Sequence, residues 1–341
     1  MKTLIIRYNG IDSLIPAAKI LRNGGIVAFP TETVYGLGGN ALDPDAAKKI
    51  YAAKGRPSDN PLIVHLSTCF DAERYAVTDK LFDWIAETLM PGPLTVILKK
   101  RESIPNSVTG GLDTVGIRVP SHPVARDLIA LAGVPVAAPS ANLSGKPSPT
   151  SFAHVYHDLN GKIDCIIDGG NCDYGLESTI IKPEDGVIKL LRPGAVTVEM
   201  LSIFDRPIYI DPAVTEKFDG IPLAPGMKYR HYAPDKPLVV IEGGDEVTYR
   251  FLSEKERRAV ICFDEDLMHI EGKYVLSCGP KDDSLTQAQR LFDCMRRLDG
   301  LTDVDVIYAR MPSKVGIGLA VFNRLIKAAG FQVLRLEPPN L

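Results

Sequence analysis

The chain lacks most of the short signatures by which an enzyme shows its chemistry. It has no Gly-x-x-x-x-Gly-Lys-Ser/Thr, so no P-loop cradles a nucleotide. It has neither His-Glu-x-x-His nor Gly-x-Ser-x-Gly, which removes the zinc-peptidase helix and the hydrolase elbow. Its six cysteines (Cys69, Cys165, Cys172, Cys262, Cys278 and Cys294) form no Cys-x-x-Cys pair. Zinc-ligand spacing is therefore missing, and reduced, buried thiols are expected. No apolar run approaches the length of a membrane helix. The run in Met1–Arg7 is too short for a signal peptide, so a cytoplasmic protein is expected. Aromatic residues make up only 7%, and the formal net charge is -3. That balance argues against a coat of positive charge for sequence-independent nucleic-acid binding, although a local basic cleft stays open. Gly316-Ile317-Gly318 is followed by Val321 where a dinucleotide loop needs a small residue, so it is not read as a cofactor site.

What is present suits an ordinary globular chain of two domains: 341 residues, 45% hydrophobic and 24% charged. Up to about residue 205, strand and helix patterns mix without regular alternation. Asp12–Arg22 suits a helix, and Ile26–Phe29 a buried strand. Asp43-Pro44 opens a second helix with an acid cap and an N-terminal proline, and Gly55 ends it. Further strands are expected at 62–66, 95–99, 115–119, 134–138, 165–168, 178–182 and 187–191, with helices at 81–90 and 124–132. Together these predict one large sheet of mixed direction with helices on it. Residues 206–237, with prolines at 207, 212, 222, 225, 234 and 237, read as a partly ordered linker. From 238 to 341 strand and helix patterns alternate, which predicts a smaller parallel, doubly wound α/β domain.

Polar and cationic residues gather at strand ends of the first domain. Pro30–Gly39 follows a strand with hydroxyls, one carboxylate and glycines, and reads either as a plain turn or as a ligand loop. Lys54 and Arg56 stand just past a helix end, where they favour the helix dipole or bind an anion. His65 lies in the apolar strand Leu62–Leu66 and is either a satisfied core residue or a ligand group. In Val115–Pro120, alternation sets Gly116 and Arg118 on one face. A buried arginine there needs an anion, either a fixed Asp or Glu or a ligand carboxylate. Ala138–Thr150 is a small, hydroxyl-rich loop whose free N–H groups would suit phosphate oxygens. Three arginines and a lysine (Arg56, Arg118, Arg192 and Lys54) without a P-loop point to a polyanion held by side chains in a concave pocket.

These residues occur as ordered motifs: Pro30–Leu37, Lys54-Gly55-Arg56-Pro57, Asn60-Pro61-Leu62, Pro91–Thr95, Gly116–Pro120, Pro139–Gly145 and, in the linker, Pro225–Pro234. In this the chain resembles the YrdC-like family in its long, two-domain form, densely over 1–205 and more weakly beyond. The resemblance implies a YrdC-like mixed twisted sheet around a concave anion-binding pocket, and a C-terminal Rossmann-like domain. It implies a nucleotidyltransferase that makes L-threonylcarbamoyl-AMP from L-threonine, bicarbonate or CO2, and ATP. Pyrophosphate leaves, and the product serves threonylcarbamoyladenosine modification of tRNA. By resemblance Thr33, His65, Arg118, Ala138 and Ser178 hold threonine, with Arg118 on its carboxylate. Lys54, Arg56, Asn60, Thr114, Ser140, Asn142, Ser148, Arg192 and Tyr232 hold ATP, with Lys54 and Arg56 stabilising charge. Mg²⁺ is expected on the ATP phosphates and no organic cofactor is. A tRNA-modifying threonylcarbamoyl transferase complex is the implied partner, in transient contact; whether the linker closes as a lid is left open by the sequence. Glu32 has no assigned role beyond holding its loop in shape. The rival reading is an RNA-binding module on the same concave face; the acidic balance and the few interleaved aromatics count against it.

Overall fold

In a computed structural model, residues 2–218, 220, 222–227 and 231–337 are described. The linker motif at 225–234 and the linker itself therefore lie partly outside the described residues. The chain divides into two compact units, one of Met1–Ser144, Ser148–Val214 and Phe218–Lys228, the other of Gly145–Pro147, Thr215–Lys217 and Tyr229–Leu341.

The first unit carries the strands β1 (Leu4–Arg7), β2 (Val27–Phe29), β3 (Gly36–Asn40), β4 (Ile63–His65), β5 (Leu94–Lys99), β6 (Thr114–Arg118), β7 (Val136–Ala138), β8 (Cys165–Asp168), β9 (Thr179–Glu184), β10 (Val187–Arg192) and β11 (Ile208–Ile210). Its helices are α1 (Ile15–Arg22), α2 (Pro44–Lys54), α3 (Lys80–Leu89), α4 (Asn106–Thr109), α5 (Pro123–Ala132), α6 (Phe152–Leu159) and α7 (Val198–Leu201). Among the described residues the strands form one sheet in the order β1-β8-β2-β3-β7-β4-β6-β5-β9-β10-β11. Its pairings are mixed: β4 runs parallel to β6, while β5–β6 and β4–β7 are antiparallel. Against one part of the sheet α1 and α5 bury Leu14, Leu21, Leu128 and Ile129 on Val27, Phe29, Val136 and Ile167. Helix ends follow local chemistry. The Asp43 side chain accepts from Asp45 N, Pro44 opens α2, and Gly55 closes it at φ 61°.

Several expectations change. The helix expected over 12–22 begins as a 3₁₀ turn at Ile11–Leu14, with α1 following Leu14. The glycine-rich end of the Pro30–Gly39 loop is the strand β3, antiparallel to β2. Its glycines serve close packing, since a Cβ on Gly38 would lie 2.5 Å from Val136 Cγ1 and 2.7 Å from Phe29 Cε1. Strand β11, inside the expected linker, adds to β10 in parallel and extends the first sheet past residue 205.

The second unit contains β12 (Leu238–Glu242), α8 (Asp245–Ser253), β13 (Arg258–Cys262), β14 (Val275–Ser277), α9 (Ser284–Leu298), β15 (Val306–Arg310), α10 (Ile317–Ala328) and β16 (Val333–Arg335). All its pairings are parallel, in the order β14-β13-β15-β12-β16. Strand–helix alternation requires this, because parallel neighbours need crossover connections.

Gly38→Ala should lower stability by about 1–3 kcal/mol, the usual cost of overpacking. Urea denaturation checks this, and an unchanged midpoint would show that Phe29 and Val136 give way freely.

Candidate functional site

Strands β4 and β6 pair so that His65 stands opposite Arg118. The loop leaving β2 brings Thr31, Glu32 and Thr33 to the same place. Arg118 Nη2 donates to Glu32 Oε1 at 2.7 Å, to Thr33 Oγ1 at 2.9 Å and to Thr31 Oγ1 at 3.4 Å. Arg118 is 4% exposed and Glu32 1%. The buried guanidinium thus has a fixed carboxylate, one of the two partners the sequence left open. Its Nε is nevertheless buried without a hydrogen-bond partner, a donor left unsatisfied by the protein. Glu32 is held in turn, because Ser121 N donates to its Oε2 at 3.2 Å.

His65 is buried, with Nδ1 3.1 Å from Ile63 O and its ring edge-on to Phe29. Burial first, and then the charge of Arg118, drives its pKa down to about 3. The imidazole is neutral at any ordinary pH. Ala138 ends β7 opposite Ile63, beside this group.

Ser178, at the start of β9, is tied elsewhere. Its Oγ lies 2.8 Å from Thr95 Oγ1 and accepts from Arg192 Nη2 at 3.1 Å, while its carbonyl accepts from Arg192 Nε at 3.0 Å. Arg192 Nη1 also donates to Pro225 O at 3.3 Å. Sequence reading left Thr95 without a role. Its signal is a lone hydroxyl in the apolar run Leu94–Leu98, and the residue is fully buried. A Cβ on Gly116 would sit 3.0 Å from Thr95 Cγ2, so Thr95 shares the face that Gly116 and Arg118 occupy.

The cationic loop meets the serine loop. Lys54 Nζ donates to the carbonyls of Ser140 and Asn142, and Ser144 N donates back to Lys54 O at 2.9 Å. Ser140 Oγ donates to Asn142 Oδ1. Three N–H groups of the loop expected to be free for phosphate are engaged within the protein: Ala141 N on Tyr35 O, Leu143 N on Asp158 Oδ2 and Ser144 N on Lys54 O. Arg56 Nη2 donates to Pro61 O at 3.1 Å, and the buried Asn60 Oδ1 has no hydrogen-bond partner. Ser148 Oγ donates to Glu177 Oε1, and Thr114 opens β6 half-buried. Tyr232 belongs to the second unit. It takes a left-handed φ of 64°, its ring 5.2 Å from Phe292 and 5.7 Å from the Arg324 guanidinium. Among the described residues no three His, Cys, Asp or Glu side chains gather as metal ligands.

Comparison with known proteins follows the same outline. A family model described as "Telomere recombination", for Sua5, YciO and YrdC proteins, matches residues 19–194. A second, described as "Threonylcarbamoyl-AMP synthase, C-terminal domain", matches residues 196–330. Threonylcarbamoyl-AMP synthase of Bacillus subtilis is 46% identical over 330 residues, covering 94% of this chain and 93% of its own. That of Pyrococcus abyssi is 45% identical, covering 94% of this chain and 95% of its own. The crystal structure of P. abyssi Sua5 complexed with L-threonine superposes with a TM-score of 0.89 at 43% identity, covering 99% of this chain and 100% of that one.

The depressed pKa of His65 has a pH signature. Between about 6.5, its unfolded value, and about 3 the unfolded chain binds the proton that the folded chain refuses. His65 therefore contributes stability above that window and loses it as pH falls through it. His65→Gln should flatten the acid-side fall of unfolding free energy by up to about 1.4 kcal/mol per pH unit. Parallel curves for variant and wild type would mean that His65 protonates freely in the fold.

Proposed function

Because the chain belongs to the threonylcarbamoyl-AMP synthase family, we propose that it joins L-threonine, CO2 or bicarbonate, and ATP into L-threonylcarbamoyl-AMP and pyrophosphate. The product would serve threonylcarbamoyladenosine modification of tRNA in the cytoplasm, handed on to a threonylcarbamoyl transferase complex. The observation that carries this reading is Arg118: buried, braced through Nη2, with Nε lacking an acceptor beside Thr33 and His65.

In this reading Arg118 takes the threonine carboxylate, with Thr33, His65 and Ala138 around it and Ser178 at the adjoining edge. Bound threonine gives up its ammonium proton to solvent, and the free amine attacks the carbon of CO2, forming the N–C bond as one C=O π pair moves onto oxygen. Loss of a proton leaves a carbamate. A carbamate oxygen then attacks the α-phosphorus in line, the bond from Pα to the bridging oxygen breaks, and pyrophosphate departs with that electron pair. No protein nucleophile is needed, so positioning and charge stabilisation carry the rate. Lys54, Arg56 and Arg192 supply positive charge to the phosphates, and Asn60, Thr114, Ser140, Asn142 and Ser148 complete the first unit's nucleotide set. Mg²⁺ would enter on the triphosphate oxygens, where it neutralises charge on the leaving group.

Pyrophosphate release should depend on both threonine and bicarbonate. Release that ignores threonine would sink the reading. Arg118→Ala should weaken threonine binding by about tenfold or more, as loss of a charged hydrogen bond does, and leave ATP binding nearly intact. Calorimetric titration with each ligand separates the two, and equal losses would make Arg118 a structural or phosphate-binding residue.

A further inference from the structure

We propose that Glu32 is a specificity-determining residue: by neutralising Arg118 from within the protein, it makes the site select a zwitterionic amino acid over a plain carboxylate. This rests on the threonine reading above.

Glu32 is not a stand-in that a ligand displaces. One carboxylate oxygen holds Arg118 Nη2 and the other holds Ser121 N. Its own carbonyl accepts from Tyr174 N at 2.8 Å, so backbone and side chain are both fixed. The ion pair is therefore braced on both sides of Glu32, and a ligand carboxylate meets a guanidinium whose charge is already answered. The hydrogen bonds of Arg118 to Thr31, Glu32 and Thr33 all run through Nη2, which leaves Nε without a partner, a donor that offers a hydrogen bond and little net charge.

The surrounding titratable groups add no positive charge to that balance. His65 is neutral, held so by burial and by Arg118. Burial keeps the Cys172 thiol protonated, and burial lowers the pKa of His122. Asp173, whose charge acts on both Cys172 and His122, adds only negative charge. A plain carboxylate would thus bring an uncompensated anion close to Glu32, which is costly where water is excluded. A zwitterion brings the same carboxylate for Nε together with an ammonium, whose sign suits Glu32. A site with a bare arginine would favour the opposite choice.

The test compares L-threonine with 3-hydroxybutyrate, the same skeleton without its amino group, by calorimetric titration of the full chain. Wild type should prefer threonine by about tenfold or more, a difference of one charged contact. In Glu32→Gln threonine should weaken while 3-hydroxybutyrate holds or tightens, so the preference collapses; Glu32→Asp should retain it even at lower affinity. Binding of a non-hydrolysable ATP analogue, expected unchanged, reports that each variant is folded. Equal weakening of both ligands in a folded Glu32→Gln would overturn the proposal and reduce Glu32 to a brace. Should that variant not fold, wild type binding 3-hydroxybutyrate as tightly as threonine, or Glu32→Asp losing the preference, would overturn it instead. Wild type that binds the ATP analogue but neither small ligand would overturn the threonine reading itself.

Discussion

The first unit is organised around one charge that water does not reach. Arg118 sits at the end of β6, an interior strand of the sheet, and would be intolerable there without an anion. Glu32 supplies it from a loop that has no regular structure of its own. Removing one member of such a buried pair typically costs about 3–5 kcal/mol, so the pair fixes the loop as firmly as a strand would. Thr31 and Thr33 close around the same nitrogen, and the chain then runs directly into β3. The positions of Thr31 and Thr33 around Arg118 follow from that pairing.

How much of this was legible in the sequence depended on whether the cause was local. Helix α2 was readable because its cap, its N-terminal proline and its closing glycine lie within the segment itself. Helix α9 and strand β8 were readable from periodicity, and strand–helix alternation announced the parallel sheet of the second unit. Strand β3 was not, because Gly-Leu-Gly-Gly-Asn looks like a turn until Phe29 and Val136 are seen pressed against it. Edge strand β1 was missed because three of its four residues are exposed and leave no buried stripe. At Arg118 the sequence showed that an anion was required but not which one, since Glu32 lies 86 residues away. It showed the hydroxyls of the serine loop but not where the N–H groups point, because hydrogen-bond direction is a property of the folded chain.

Thr95, Ser178 and Arg192 add something that motif reading separates. Family resemblance divides Ser178 and Arg192 between two substrates, yet one arginine holds both the hydroxyl and the carbonyl of that serine. Groups assigned to different ligands therefore belong to one hydrogen-bonded network across β5, β9 and β10. Buried networks of this kind respond as a unit when one member is disturbed.

Lys54 leaves a constraint of a different sort. Its ammonium is shared among two backbone carbonyls, of Ser140 and Asn142, and the Asn142 side-chain oxygen. A compact tetrahedral head can converge on oxygens from residues two apart in a curved loop; a flat guanidinium, with its donors splayed in one plane, cannot do so without reshaping that loop. Position 54 is thus selective for the shape of its cation as well as for its sign. A charge-conserving exchange to arginine would keep the positive charge while breaking the clasp between α2 and the serine loop.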